Sequence, residues 1–178
     1  HEDCRRQRQM CIRDRVPIHA SGPYYTPNYK ALGNALHSNG PISGAFRGFG
    51  VPQVAALQET LYDQLADICN IDQLEFRKIN ALQDGQKTVC GQQLHGVGIL
   101  ECLDALSERW KVGLQNIENF NKSSDVIKKG IGLGSCWYGC GNTALPNPST
   151  IKVGIDNIGK LYLHQGATDI GQGSNTVI

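Results

Sequence analysis

Hydrophobic positions change their period along this chain, and the changes mark its elements. From Pro52 to Asn70, Val54, Leu57, Leu61, Leu65 and Ile68 recur at three- and four-residue steps, the spacing of one helix face. Pro52 falls in the first turn, where a missing N–H removes no bond. Glu59, Asp63 and Asp67 lie on the polar side of this helix and are expected in solvent. Asp72 with Glu75 makes a capping box for a second helix, through Leu74 and Ile79 to about Leu82, ended by Asp84-Gly85. A third helix, about Val97 to Trp110, turns Ile99, Leu103, Leu106 and Trp110 inward.

On either side of these helices the pattern is different. SGPYYTPN, Ser21 to Asn28, is extended or turn-like, because a proline disfavours helix at the residue before it. Tyr29 to Asn39 has no helical face, contains Gly33, and reads as a strand entering a glycine loop. Lys111 to Lys129 is polar, with Asn-Lys-Ser-Ser at its centre, and reads as a connection between subdomains. Beyond it GIGLGSCWYG reads as a strand, and Ser149 to Asp156 with Lys160 to Gln165 as a hairpin around Asn157-Ile158-Gly159. Thr176-Val177-Ile178 has the look of a first helical turn. The fold class is α+β, in two parts, 16–128 and 129–178.

The first fifteen residues, HEDCRRQRQMCIRDR, stand apart, with five arginines and no apolar period. Met10 to Arg15 is what the transposon end used in DNA library preparation encodes in one frame. We therefore expect residues 1–15 to be adapter-derived, from a metagenomic assembly, and to lie outside the native fold.

Composition narrows the classes. The 178 residues are 40% apolar and 19% charged, enough for a core and too little charge for disorder. A net charge of +1 gives no footprint for nucleic acid, and no apolar run approaches the length of a membrane span. Seven cysteines, at 4, 11, 69, 90, 102, 136 and 140, include no CxxC pair, so neither a zinc nor an iron–sulfur framework is indicated, and they read as reduced thiols of a cytoplasmic protein. The 21 glycines exceed the usual share and cluster as GFG, GIGLG, GCG and GQG, as expected where backbone approaches a ligand or turns tightly.

Two loops carry candidate chemistry. GAFRGFGVPQ, Gly44 to Gln53, sets an arginine between two phenylalanines among glycines at a helix start. Arginine offers a rigid fork of donors, and an aromatic among glycines can lie flat on a planar ligand. GQG, Gly171 to Gly173, places several N–H groups beside one carboxamide, an arrangement suited to phosphate or a heterocycle edge. No GxSxG, Walker motif or histidine pair occurs, and GIGLGS is a poor dinucleotide match.

PYYTPN, then GAFRGFGVPQ, then much later GATDIGQG, taken in order, resemble the molybdenum hydroxylases, the xanthine dehydrogenase and aldehyde oxidase family, over Ser21 to Leu82 and Gly130 to Thr176. WYGCGNTALPNPST looks like its bacterial members. The resemblance implies part of the two-subdomain molybdopterin-binding domain of the large subunit. It implies that Phe46, Arg47 and Gly48 lie at a molybdenum–molybdopterin cofactor, without side-chain ligation of the metal, and that Phe49 stacks on the substrate. Ile170, Gly171, Gln172 and Gly173 would hold the pterin, in its cytosine dinucleotide form. The family oxidises aldehydes or N-heterocycles, purine- or nicotinate-like, with water as oxygen source. Electrons pass to 2Fe-2S clusters and FAD on partner domains or subunits, in a dimer of heteromers. The family's general-base glutamate lies beyond position 178, so no catalytic residue is assigned. Gly48 stands where carbon monoxide dehydrogenases carry a copper-binding cysteine, which argues against that branch. A substrate-orienting arginine of the purine enzymes would fall near Arg15, inside the segment set aside. The alternative is a fold remnant or assembly module without cofactor.

Overall fold

The computed structural model describes residues 16–34, 36, 39, 47–139 and 148–178. A helical turn, α1, occupies residues 16–19. It is followed by α2 (Val51–Cys69), α3 (Gln73–Asn80), α4 (Ile99–Ala105), α5 (Ser107–Ser123), β1 (Lys152–Ile155), β2 (Leu161–His164) and α6 (Ser174–Val177). The chain divides into two compact units, one ending at Gly139 and the other starting at Cys140. The mixed class agrees with the sequence reading. The segment 1–15, including Arg15, lies outside the described residues.

In the first unit, α2 and α3 start and stop where the sequence indicates. Asn70 adopts the left-handed conformation at the α2 C-cap, and Asp72 caps α3 through Oδ1, which accepts from Leu74 N (2.9 Å) and Glu75 N (3.1 Å). The other Asp72 oxygen accepts from Trp110 Nε1 at 2.9 Å, so one carboxylate caps α3 and anchors α5. The core gathers Leu74, Ala81, Leu103 and Trp110, with Ile99, Leu100 and Leu133 against it. Tyr25 N donates to Asn80 O and Leu82 N to Pro23 O, tying the Pro23–Tyr25 stretch to the end of α3.

α2 turns a different face inward from the one its leucines suggest. Leu57, Leu61, Leu65 and Ile68 are exposed, while Val51, Val54, Gln58, Glu59 and Ala66 are buried. The reason is Arg77, whose side chain is completely buried. Its Nε meets Glu59 Oε2 at 2.7 Å, its Nη2 meets Asp63 Oδ1 at 2.8 Å, and Nη1 donates to Gln73 O at 3.1 Å. Tyr24 adds an O–H donated to Glu59 Oε1 at 2.8 Å. A buried charge must be paired, and the pairing fixes the rotation of α2. Of the three acids expected in solvent, only Asp67 is exposed; Asp63 is half-buried and Glu59 buried. Tyr62 stacks on Tyr24, ring centroids 4.2 Å apart, and burial pushes its phenol up to about 12.

Three further expectations are corrected. The third helix is two: the ladder closes with an i→i−3 bond from Leu106 N to Leu103 O, and α5 begins at Ser107. Lys111 to Ser123 belongs to α5 and not to a connection. Its Gly113 is where residue Ile131 approaches, since a Cβ there would lie 2.5 Å from Ile131 Cδ1. Asn121 then grips Lys129 through both its backbone N–H (2.8 Å) and its C=O (2.9 Å). Residues 130–139, and the described residues of 29–39, carry no strand. No ladder partner lies beside either among the described residues, and a strand exists only with one.

The second unit holds the expected hairpin, antiparallel with Val153 opposite Leu163 and Ile155 opposite Leu161. Its turn is held by Asp156, which accepts from Ile158 N and Lys160 N through Oδ1.

Candidate functional site

The arginine–aromatic loop enters α2 through three consecutive left-handed residues, Gly48 (φ 98°), Phe49 (φ 49°) and Gly50 (φ 84°). Gly50 is the N-cap, and Val51 N donates back to Gly48 O at 2.9 Å. A Cβ on Gly48 would lie 2.8 Å from Pro52 Cδ, so the proline that starts the helix also demands the glycine before it. Phe49 is the unusual member: a bulky residue is seldom left-handed, at a cost of about 1–2 kcal/mol, and such strain gathers at functional sites. Phe49 is half-buried and Arg47 exposed. Phe46 lies outside the described residues.

Behind this helix start, His19, Gly22, Val51, Gln58 and Trp137 line a narrow chamber. The His19 ring packs on Trp137 (centroids 5.1 Å apart) and on Tyr138 (5.8 Å). Among the described residues, both polar atoms of the buried Gln58 carboxamide, and Trp137 Nε1, find no hydrogen-bond partner. A buried, unpaired amide costs about 1–3 kcal/mol. Gln58→Leu is therefore expected to raise stability by roughly that amount, read as a higher urea midpoint at unchanged slope. A lower midpoint would show that the carboxamide has a partner in the whole protein.

The glycine–glutamine loop precedes α6. Gly171 (φ 96°) and Gly173 (φ 87°) are left-handed, and Gly173 is the N-cap. Gln172 Oε1 accepts from Ile170 N at 2.6 Å, and its Nε2 donates to Thr168 O at 2.7 Å and Ser174 Oγ at 3.3 Å. Asp169 accepts from Gly171 N (2.7 Å) and Asn175 N (3.0 Å). Ile170, beside them, is exposed. The Asp169 contribution was not drawn from sequence; its signal was an acid two residues before a glycine that must turn.

The loops fit a pterin cofactor in one respect that each shows by itself. Backbone is bared by glycines whose φ excludes other residues, so main-chain groups can come close to a large planar ligand. Among the described residues no group of three or more histidine, cysteine or acid side chains could hold a metal ion. No helix among them is long and apolar enough to cross a membrane.

Comparison with known proteins gives the same direction. Two models described as a molybdopterin cofactor-binding domain match residues 5–81 and 105–178. The chain is 40% identical over 96 residues to the nicotinate dehydrogenase large molybdopterin subunit of Eubacterium barkeri, covering 53% of this chain and 23% of that one. It is 31% identical over 168 residues to xanthine dehydrogenase/oxidase of Gallus gallus, covering 93% of this chain and 12% of the relative. The aldehyde oxidoreductase from Desulfovibrio desulfuricans superposes with a TM-score of 0.71 at 26% identity, over 85% of this chain and 16% of that one. The chain thus spans less than a quarter of the length of these relatives.

Proposed function

Because the chain belongs to the molybdenum hydroxylases through their molybdopterin-binding domain, we propose that it builds part of the cofactor and substrate site of an oxidoreductase. The observation that carries this reading is the run of left-handed residues at Gly48, Phe49 and Gly50. The substrate is an aldehyde or an N-heterocycle of the purine or nicotinate kind. When bound, the molybdenum–molybdopterin group, in its cytosine dinucleotide form, supplies the oxidation of a substrate carbon with oxygen drawn from water.

The chain's own residues bind and orient. Main chain at Phe46, Arg47 and Gly48 lines the metal end of the cofactor, and Ile170, Gly171, Gln172 and Gly173 line its pterin. Phe49 presents its ring to the planar substrate, and its left-handed backbone fixes the direction of that ring. Electrons leave to 2Fe-2S clusters and FAD on partner subunits or domains, in a cytoplasmic dimer of heteromers.

The test is expression of the whole protein with those partners, and turnover of nicotinate, xanthine and an aromatic aldehyde in water labelled with heavy oxygen. Label in the product supports the reading; protein free of molybdenum and pterin overturns it. Within a loaded enzyme, Phe49→Ala is expected to lower kcat/KM about two- to tenfold, since a stacked aromatic pair is worth about 0.5–1.5 kcal/mol. Pterin content should stay at the wild-type level; a fall in pterin instead would place the ring on the cofactor.

A further inference from the structure

We propose that Arg77 is a positioning residue for the arginine–aromatic loop. By pairing with Glu59 and Asp63 it sets the rotation of α2, and through the first turn of α2 it sets the direction of the Phe49 ring. The proposal rests on the functional reading above and adds to it residues that act through the helix and not by contact with substrate.

α2 has two stripes that can face α3. Leu57, Leu61, Leu65 and Ile68 form one, Glu59 and Asp63 the other, and a two-residue offset sets them about 160° apart around the axis. Hydrophobic burial alone favours the leucines, yet they are exposed, while Glu59 is buried and Asp63 half-buried. The ions decide the choice. Arg77 holds α2 at Glu59 Oε2 (2.7 Å), at the Glu59 main-chain oxygen (3.2 Å) and, one turn further on, at Asp63 Oδ1 (2.8 Å). A single hold would let the helix roll about it; holds on two successive turns and on main chain fix both rotation and register. Tyr24 adds its O–H on Glu59 Oε1 at 2.8 Å, and burial raises this phenol, which keeps it a donor.

The other end of the link is the helix start. Val51 N donates to Gly48 O at 2.9 Å and Val54 N to Gly50 O at 3.1 Å, so both neighbours of Phe49 are tied to the first turn. The Pro52 ring stands so close to Gly48 that a Cβ there would lie 2.8 Å from Cδ. Phe49 itself is left-handed (φ 49°), in a small allowed region that leaves it little room to turn. A roll of α2 therefore carries the Phe49 ring with it. A buried ion pair gives little net stability over well-packed apolar residues, and its best-attested use is to set register.

The experiment uses the whole protein with its partners, and rates are taken per molybdenum so that lost cofactor does not pass for lost activity. In Glu59→Met with Arg77→Met the charge and its partner leave together, so the urea midpoint should return most of the way to wild type. KM should nevertheless rise about two- to tenfold, as for Phe49→Ala. kcat should hold, because a misdirected ring loses binding made equally to substrate and transition state. Placed on Phe49→Ala, the paired change should raise KM no further, whereas a purely structural role would add its own effect. Wild-type KM in the paired variant, or a full further rise on Phe49→Ala, overturns the proposal alone. If the paired variant does not fold, Asp63→Asn decides, since it weakens one hold and leaves Arg77 on Glu59. Its KM should rise by a smaller factor, again not on top of Phe49→Ala, and a wild-type KM there overturns the proposal. Phe49→Ala with wild-type kinetics, or wild type that holds no pterin, overturns the functional reading and the proposal with it.

Discussion

Arg77→Met is expected to cost about 3–5 kcal/mol, the penalty for removing one partner of a buried ion pair. The guanidinium is fully buried and satisfies Glu59, Asp63 and two backbone carbonyls at once, those of Gln73 and Glu59. Methionine fills the volume of the stem and leaves the buried Glu59 carboxylate, among the described residues, with one donor, the Tyr24 hydroxyl. Against a usual total of about 5–15 kcal/mol, such a loss is a large part of the margin. The measurement is the urea midpoint, with soluble yield as its coarse form. The double change Glu59→Met with Arg77→Met should recover much of the loss, because the charge left stranded is then gone. If Arg77→Met alone is neutral, water reaches Glu59, and the account of what orients α2 is wrong.

That pair also shows where the sequence stopped being legible. The extent of α2 was readable because Pro52 and the leucine spacing are local signals, and the Asp72 cap of α3 likewise. Which face of α2 is buried was not, because the deciding partner lies eighteen residues away on another helix. The clue was present: Leu74, Arg77 and Ala81 fall at helical spacing, and an arginine on an apolar face asks for an acid on its neighbour. The part of α5 from Lys111 onward reads as a connection in sequence because Trp110 is the one buried residue of the whole helix, so its hydrophobic stripe is too weak to be read. Residues 130–139 alternate like a strand, but alternation cannot announce whether a neighbour exists. The hairpin was readable because its turn chemistry is confined to a few residues around Asp156. At the site, motif order named the loops, and the structure added that Phe49 is left-handed and that the Gln172 carboxamide and the Asp169 carboxylate bond within their own loop.

Gly48→Ala is the substitution expected to damage the first loop most. A φ of 98° lies beyond the left-handed region that alanine visits, and strain of this kind costs about 1–3 kcal/mol. The added methyl would also lie 2.8 Å from Pro52 Cδ and 2.9 Å from Pro52 Cγ. The proline ring cannot rotate away, since its φ is fixed and it sits in the first turn of α2. Relief must come from the loop, by turning the peptide planes of Arg47, Gly48 and Phe49. Those are the planes assigned to the cofactor, and Phe49 carries the ring assigned to the substrate. The expected result is a folded protein whose α2 and core are intact, with pterin and molybdenum content lowered. Gly50→Ala is the comparison, because its φ of 84° is strained too but among the described residues a Cβ there meets only Val16 Cγ2, at 3.8 Å. Equal pterin loss in both would assign the effect to backbone strain alone. A larger loss for Gly48→Ala would show that the contact with Pro52 sets the loop, and that the helix start and the cofactor site are one piece of construction.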